Sequence, residues 1–329
     1  MPAASAATSE PPPRPGVSPL LLGVDIGGTS VRAQVSDLAG ARLGAGRAGG
    51  GNPNAVGMDT AVANIRTALE AALHGVDPTA VAVAVVGAAG FGDQHDPGQA
   101  FLAMWAALGL RVDATMVSDP LVAFAAGTDE RSGTVVVSGT GAAAVGIVDL
   151  RPDLVADGNG WLLGDDGSGY WVGREAVRHT VRPLRGIPDD ALSLAVTTHL
   201  LGRPGTRYEV VRDLYAGSPI RLTTLTRVVV GAAESGDPDA RRILDDAAAL
   251  LERSTAAVRG PGLETPVVLS GGMFASAYLL ESVSGRLRKH WPGAPVRRAT
   301  NGAGGAAWLA ALALDPAAPT ALHAALTRD

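Results

Sequence analysis

The 329-residue chain contains no cysteine. This excludes disulfides, thiolate metal sites, iron–sulfur clusters and cysteine nucleophiles. Lysine is almost as scarce, with Lys289 the single example. A P-loop needs Gly-Lys-Ser/Thr and a protein kinase needs a lysine near its N-terminal glycine loop, so neither nucleotide-binding device is available. Aromatics make up only 4% of the residues. No run of 18 uncharged apolar residues marks a membrane span. Net charge is −5, which gives no sequence-wide basic footprint for nucleic acid or anionic lipid. The six histidines are scattered without metal-ligand spacing, and His95, between Asp93 and Asp96, reads as a solvated loop residue.

What remains is a chain 47% apolar and 18% charged, long enough for two lobes. Residues 1–19 are rich in proline and lack an apolar h-region, so they read as a disordered tail rather than a signal peptide. A cytoplasmic protein is the expectation. Leu20 to Ile26 is an apolar run ending in Gly27-Gly28, the pattern of a buried strand entering a tight turn. Strands are expected over Val31 to Asp37 and Ala41 to Gly46. A helix is expected over 59–73, with Val62, Ile65, Leu69 and Leu73 on one face. Val81 to Val86 and Val112 to Val117 read as further strands, 99–109 as a helix, and Asp119 opens another.

The pattern then restarts. Gly133 to Ser138 is an apolar strand ending in Gly139-Thr140-Gly141, with Ala142 to Val148 as its partner and a turn at Asp149-Leu150. A glycine hairpin repeated at equivalent points of two blocks implies two related lobes facing across a cleft. The expected organisation is α/β, with duplicated βββαβαβα domains. One lobe covers 20–118, joined by a C-terminal helix at about 315–329; the other covers 119–314 and carries a helical insertion at roughly 171–259. A strand returns at Val267 to Leu269, before Ser270-Gly271-Gly272.

The chemistry concentrates in the glycine clusters. In Asp25-Ile26-Gly27-Gly28-Thr29-Ser30 the missing Cβ atoms let backbone N–H groups approach an anion, and two hydroxyls add donors. Asp25 repels phosphate but can hold Mg²⁺, directly or through water. An ordinary hairpin is the plain alternative for either glycine turn taken alone; the pair together can grip a polyphosphate without lysine. Asp119, in Val117-Ser118-Asp119-Pro120, reads either as a helix N-cap or as a general base for a sugar hydroxyl. Gly158-Asn159-Gly160 and Asp165 suit several sugar hydroxyls, the alternative being an acidic helix start. Ser270-Gly271-Gly272-Met273 offers bare backbone to adenine and ribose, or is a plain strand-to-helix turn.

Together these stretches resemble the BadF/BadG/BcrA/BcrD ATPase-like family, and within it the N-acetylglucosamine kinases. The resemblance covers about residues 20–314 and rests on Gly23 to Ser30, Gly51-Asn52-Pro53, Ser118-Asp119, Ser138 to Gly141 with Gly164 to Trp171, and Ser270 to Met273. It implies a two-lobed actin-like (ribonuclease H-like) fold and ATP with Mg²⁺ as cofactors. Asp25, Gly27, Gly28, Thr29, Ser30, Gly139, Thr140, Gly141, Gly271, Gly272 and Ser276 would lie at the nucleotide. Asn52, Gly158, Asn159, Gly160 and Asp165 would bind the sugar, and Asp119 would be the base while also touching the substrate hydroxyl. Asn159 stands where the family usually has Trp, and Ala142-Ala143 where it often has Ser-Asn, so the exact hexose is left open by the sequence. The reaction implied is transfer of the ATP γ-phosphoryl group to N-acetylglucosamine, with glucosamine or another hexosamine as the alternative substrate. The activator ATPases of acyl-CoA dehydratases need cysteines for their cluster. Kinases of the ROK type carry a Glu-x-Gly-His motif and a cysteine zinc site absent here. A non-catalytic sugar sensor would not require both Asp25 and Asp119, and no helix-turn-helix module is expected to flank the kinase region. The expected partner is a small sugar, without nucleic acid or membrane; a homodimer is the assembly held open.

Overall fold

The computed structural model describes residues 18–88, 98–182 and 186–328. His95 with its acidic neighbours and most of the N-terminal tail lie outside them. The chain divides into two compact units, 1–116 with 306–328, and 117–305.

In unit 1, strand β1 (Leu20–Ile26) is central to a five-stranded sheet. All of its residues are buried except Asp25, near its C-terminal end, which is half-buried. Its neighbours are β2 (Val31–Asp37), antiparallel, and β4, parallel; β3 (Arg42–Ala48) forms one edge. The chain then makes the single turn α1 (Pro53–Val56) and the long helix α2 (Met58–Ala72). Helix α2 buries Ala61, Ile65, Ala68, Leu69 and Ala72, the 3–4 spacing that the sequence displays. After β4 (Val81–Ala88) come α3 (Gly98–Ala107) and β5 (Ala114–Ser118), giving the order β3-β2-β1-β4-β5. Ile26, Val31, Ile65, Leu69, Phe101 and Trp105 belong to one apolar core. Each large apolar side chain buried in this way stabilises the fold by about 1.5–3 kcal/mol.

Unit 2 repeats the plan. It begins with α4 (Asp119–Gly127) and three strands, β6 (Gly133–Ser138), β7 (Ala142–Val148) and β8 (Arg151–Asp157). The duplicated βββαβαβα pattern expects a third strand in the second block without assigning it residues, and β8 supplies it. Its residues are mostly exposed and include Pro152, so no apolar alternation announces it. Asp149 and Leu150 both take positive φ, 48° and 57°, which closes a two-residue hairpin without glycine. Helices α5 (Gly169–Thr180), α6 (Ala191–Leu201), α7 (Arg207–Tyr215), α8 (Thr226–Glu234) and α9 (Pro238–Val258) form the insertion. Then follow β9 (Val267–Ser270), α10 (Ala277–His290) and the three-residue β10 (Val296–Arg298); α11 (Gly302–Leu314) starts in unit 2 and from Ala306 onward is counted in unit 1. Sheet order is β10-β9-β6-β7-β8. Counting strands within each unit, both sheets have the order 3-2-1-4-5. In each, strands 1 and 2 are antiparallel and strands 1 and 4 parallel. The short α12 (Thr320–Leu326) completes unit 1, where Gln34 Nε2 donates to Leu326 O at 3.0 Å.

Candidate active site

The shared strand order puts the two glycine turns at the same place, the connection from strand 1 to strand 2 of each sheet. In unit 1, Gly27 donates its N–H to Ser30 O at 3.0 Å, and Gly51 donates to Gly27 O at 3.0 Å. The turn is thus pinned to the loop after β3, which Asn64 of α2 holds through a 2.7 Å bond from its Nδ2 to Gly50 O. Thr29 projects into solvent. Asn52 caps α1, its Oδ1 accepting the Asn54 N–H at 2.9 Å.

Asp25 lies across from Arg32 on β2 and Gly87 on β4. Desolvation raises its carboxyl pKa to about 6, against the weaker pull of the Arg32 charge. A carboxylate held in this way gains from an added cation. Among the described residues no three His, Asp or Glu side chains cluster as metal ligands. The donor set therefore fits a hydrated Mg²⁺ shared with substrate phosphates, which needs one or two carboxylates, rather than an all-protein metal cage.

In unit 2, Gly139 donates its N–H to Gly141 O at 2.8 Å and accepts Gly169 N–H at 2.8 Å. Ser138 Oγ donates to Gly167 O at 2.9 Å. The stretch 158–170 is therefore strapped to the second turn. Ala142 is gripped twice: its O accepts Gly158 N–H at 3.0 Å, and its N–H goes to Asp165 Oδ1 at 3.1 Å. Desolvation pushes the Asp165 pKa up, the Ala142 bond lowers it, and the Asp157 and Asp166 charges raise it. The third glycine cluster joins this group. Gly271 has φ of 112°, and a Cβ there would sit 2.2 Å from Ser138 O. Ser168 caps α5 by accepting the Trp171 N–H at 3.1 Å; Asp165 and Asp166 precede the cap, and the first turn holds no acidic residue.

Asp119 is the first residue of α4, and the N-cap position belongs to Ser118. Ser118 makes no side-chain cap bond, and the Asp119 carboxylate lies in the first helical turn, where the backbone dipole favours an anion. Ser118 Oγ is buried without a hydrogen-bond partner.

Beside Gly272, Met273 and Ser276 lies a cavity of about 460 Å³ whose other wall is α8, through Thr226, Arg227, Val230, Gly231 and Glu234. Ser276 caps α10 as well, accepting Leu279 N–H at 3.4 Å. The α8 wall was not legible in the sequence, because an ordinary helical composition some 40 residues from the glycine motif carries no signal. Gly28, Gly139 and Gly272 share a further property. None has φ in the left-handed region, and a Cβ at each would meet nothing within 4 Å. The fold does not demand glycine there, whereas a ligand lying against bare backbone would.

The sequence profile of the BadF/BadG/BcrA/BcrD ATPase family matches residues 22–310. The chain belongs to that family. Among its relatives, the N-acetyl-D-glucosamine kinase of Dictyostelium discoideum is 26% identical over 303 residues, 85% of this chain and 94% of the relative. The N-acetylmuramic acid/N-acetylglucosamine kinase of Clostridium acetobutylicum is 31% identical over 152 residues, covering 44% of this chain and 47% of that protein. A Chromobacterium violaceum structure described provisionally as an N-acetylglucosamine kinase superposes with a TM-score of 0.71 at 23% identity, covering 89% of this chain and 99% of that one. The ROK family glucokinase of Streptomyces griseus, solved with glucose and AMPPNP, gives a TM-score of 0.55 at 19% identity over 89% of this chain and 98% of that one. These structural likenesses establish the actin-like ATPase fold for this family member. Among the described residues, no helix is long and apolar enough to cross a membrane.

Proposed function

We propose that the protein is an ATP-dependent sugar kinase that phosphorylates the 6-hydroxyl of N-acetylglucosamine. The observation that carries this is the relative from Dictyostelium discoideum, aligned over 94% of its own length. The duplicated glycine turns support it, since each sheet carries one such turn at the same topological position, where bare backbone N–H groups would suit an anion.

In this reading Gly27 and Gly139 shape their turns, because their N–H groups already bond Ser30 O and Gly141 O. Gly28, Thr29 and Ser30, with Thr140 and Gly141, then offer the donors for phosphate. The cavity formed by Gly272, Ser276 and α8 takes the base and ribose, with Gly271 holding the turn beside it. Asp25 would hold Mg²⁺, directly or through water, and the bound ion would offset phosphate charge. Asn52, Gly158, Asn159, Gly160 and Asp165 meet the sugar. Asp119 accepts the proton of the acceptor hydroxyl as that oxygen bonds the γ-phosphorus. The bond from the γ-phosphorus to the bridging oxygen breaks and ADP leaves. Little covalent work is asked of the protein, so positioning and charge supply the rate.

The test is ADP release with a panel of N-acetylglucosamine, glucosamine, N-acetylmannosamine, N-acetylmuramic acid and glucose, and with no sugar. The highest kcat/KM is expected for N-acetylglucosamine. Equal release without sugar would make the protein an ATPase, and silence with every sugar would make it a binder.

A further inference from the structure

We propose that Asp157 is a positioning residue for the acceptor loop: its carboxylate clamps the backbone of 164–166 and so holds Asp165 against the phosphate-binding turn. This rests on the reading above that residues 158–165 meet the sugar.

Asp157 is the last residue of β8 and pairs with Ala143 of β7. Its two carboxylate oxygens have separate tasks. Oδ1 accepts the Asp165 N–H and Oδ2 the Asp166 N–H, each at 2.7 Å. Bonds to an ionised acceptor at this length are the stronger kind. The carboxylate is packed against the loop itself, since a Cβ on Gly164 would fall 2.1 Å from Asp157 Oδ1. Asp157 has φ of 65°, in the left-handed region that aspartate takes more readily than most non-glycine residues.

A closed circuit results. Asp157 is followed by Gly158, whose N–H bonds Ala142 O. Asp165, fixed by Asp157, returns its own carboxylate to the Ala142 N–H. The loop between, containing Gly158, Asn159 and Gly160, is thereby closed at both ends on one residue of β7, Ala142. Within the loop Gly160 O accepts the N–H groups of Leu163 at 3.1 Å and Gly164 at 2.8 Å, so a turn forms there by itself and the clamp fixes where that turn sits against β7. Asparagine would keep one acceptor but present an amide N–H₂ to the second backbone N–H, so it should retain about half of the clamp.

The experiment compares full-length wild type, Asp157→Ala and Asp157→Asn. The readouts are KM for N-acetylglucosamine, KM for ATP, kcat, and residue-resolved amide exchange at Asp165 and Asp166. In Asp157→Ala the sugar KM should rise at least ~10-fold, the ATP KM should rise by less because Asp165 keeps its own carboxylate for the Ala142 N–H, and both amides should exchange at least ~10-fold faster. Asp157→Asn should fall between wild type and Ala on all of these. Faster exchange with an unchanged sugar KM would overturn the positioning role. Unchanged exchange would overturn the clamp itself. Equal losses in both KM values and in the folded fraction would reduce Asp157 to a structural residue. If Asp157→Ala does not fold, Asp157→Asn is judged by the same criteria. Wild-type inactivity on every sugar would sink the kinase reading, and is told apart because the exchange measurement needs no substrate.

Discussion

Asp165 Oδ1 accepts the Ala142 N–H at 3.1 Å, tying the acid expected at the sugar to the turn expected at the phosphate. One carboxylate thus serves two groups of contacts, and Gly141 is kept bare because a Cβ there would lie 2.9 Å from the same oxygen.

Loss of that carboxylate should therefore disturb both substrates. Asp165→Ala is expected to raise KM for sugar and for ATP together, each by about 10-fold or more, the size of a lost charge-assisted hydrogen bond of about 1.5–3 kcal/mol. Asp165→Asn keeps an acceptor for Ala142 and should spare ATP more than sugar. Steady-state kinetics with each substrate varied in turn decides the point; an effect on sugar alone would show that the Ala142 bond carries no weight in nucleotide binding.

Asp119→Ala should lower kcat by about 10²–10⁴-fold, the usual span for a general base. Pro120 in the first turn and the buried Leu121, Val122 and Phe124 hold α4, so the helix should survive the substitution. Thermal unfolding should show a shift of only a few degrees. Near-normal turnover would remove Asp119 from the chemistry.

Much of this arrangement is written in the sequence, and the exceptions have causes. Asp25 and the Gly27-Gly28 turn are legible because Asp25 is the one charged residue of an otherwise apolar strand that runs straight into the turn. The repeat of that pattern at Ser138 to Gly141 discloses the duplication. Asp157 is not legible: it ends an exposed edge strand lacking apolar alternation, and its partners Asp165 and Asp166 lie eight and nine positions away. Asn64 is hidden for a similar reason. It looks like a polar residue on an amphipathic helix, yet its amide holds Gly50 O 14 positions earlier. Backbone-directed side chains leave no periodic trace, whereas buried strands and paired glycines do.

The raised pKa of Asp25 has a consequence for stability. Burial lifts the folded value from 3.8 to about 6, so the protonated carboxyl suits the fold better than the charged one. The contribution of Asp25 to the stability of the ligand-free protein should be fullest below about pH 4 and be lost as pH climbs through about 6, by linkage. Asp25→Asn removes the desolvated charge, and should raise stability by about 1–3 kcal/mol above pH 7, with the gain vanishing below pH 4. The same substitution should cost activity by at least ~10²-fold if Asp25 supports the metal. Urea unfolding at pH 4 and pH 8, paired with turnover, reads both effects. An Asn variant less stable than wild type at pH 8 would contradict the desolvation account.

The glycines separate ligand contact from fold. Gly28 and Gly139 have open space where a Cβ would go and no left-handed φ, so alanine there should leave the midpoint of thermal unfolding within about 2 °C. If phosphate oxygens lie against that bare backbone, a methyl group must displace them, and ATP affinity should fall at least ~10-fold. Gly271→Ala is the opposite case. Its φ of 112° disfavours any side chain, and the new Cβ would press to 2.2 Å from Ser138 O, so the backbone must move. A loss of at least about 2 kcal/mol is expected, of the size that backbone strain and overpacking produce. Calorimetric ATP titration and denaturant unfolding on the three variants give a direct contrast. If Gly28→Ala and Gly139→Ala bound ATP as wild type does, the two turns would be hairpins and nothing more, and the phosphate contacts would have to be sought elsewhere.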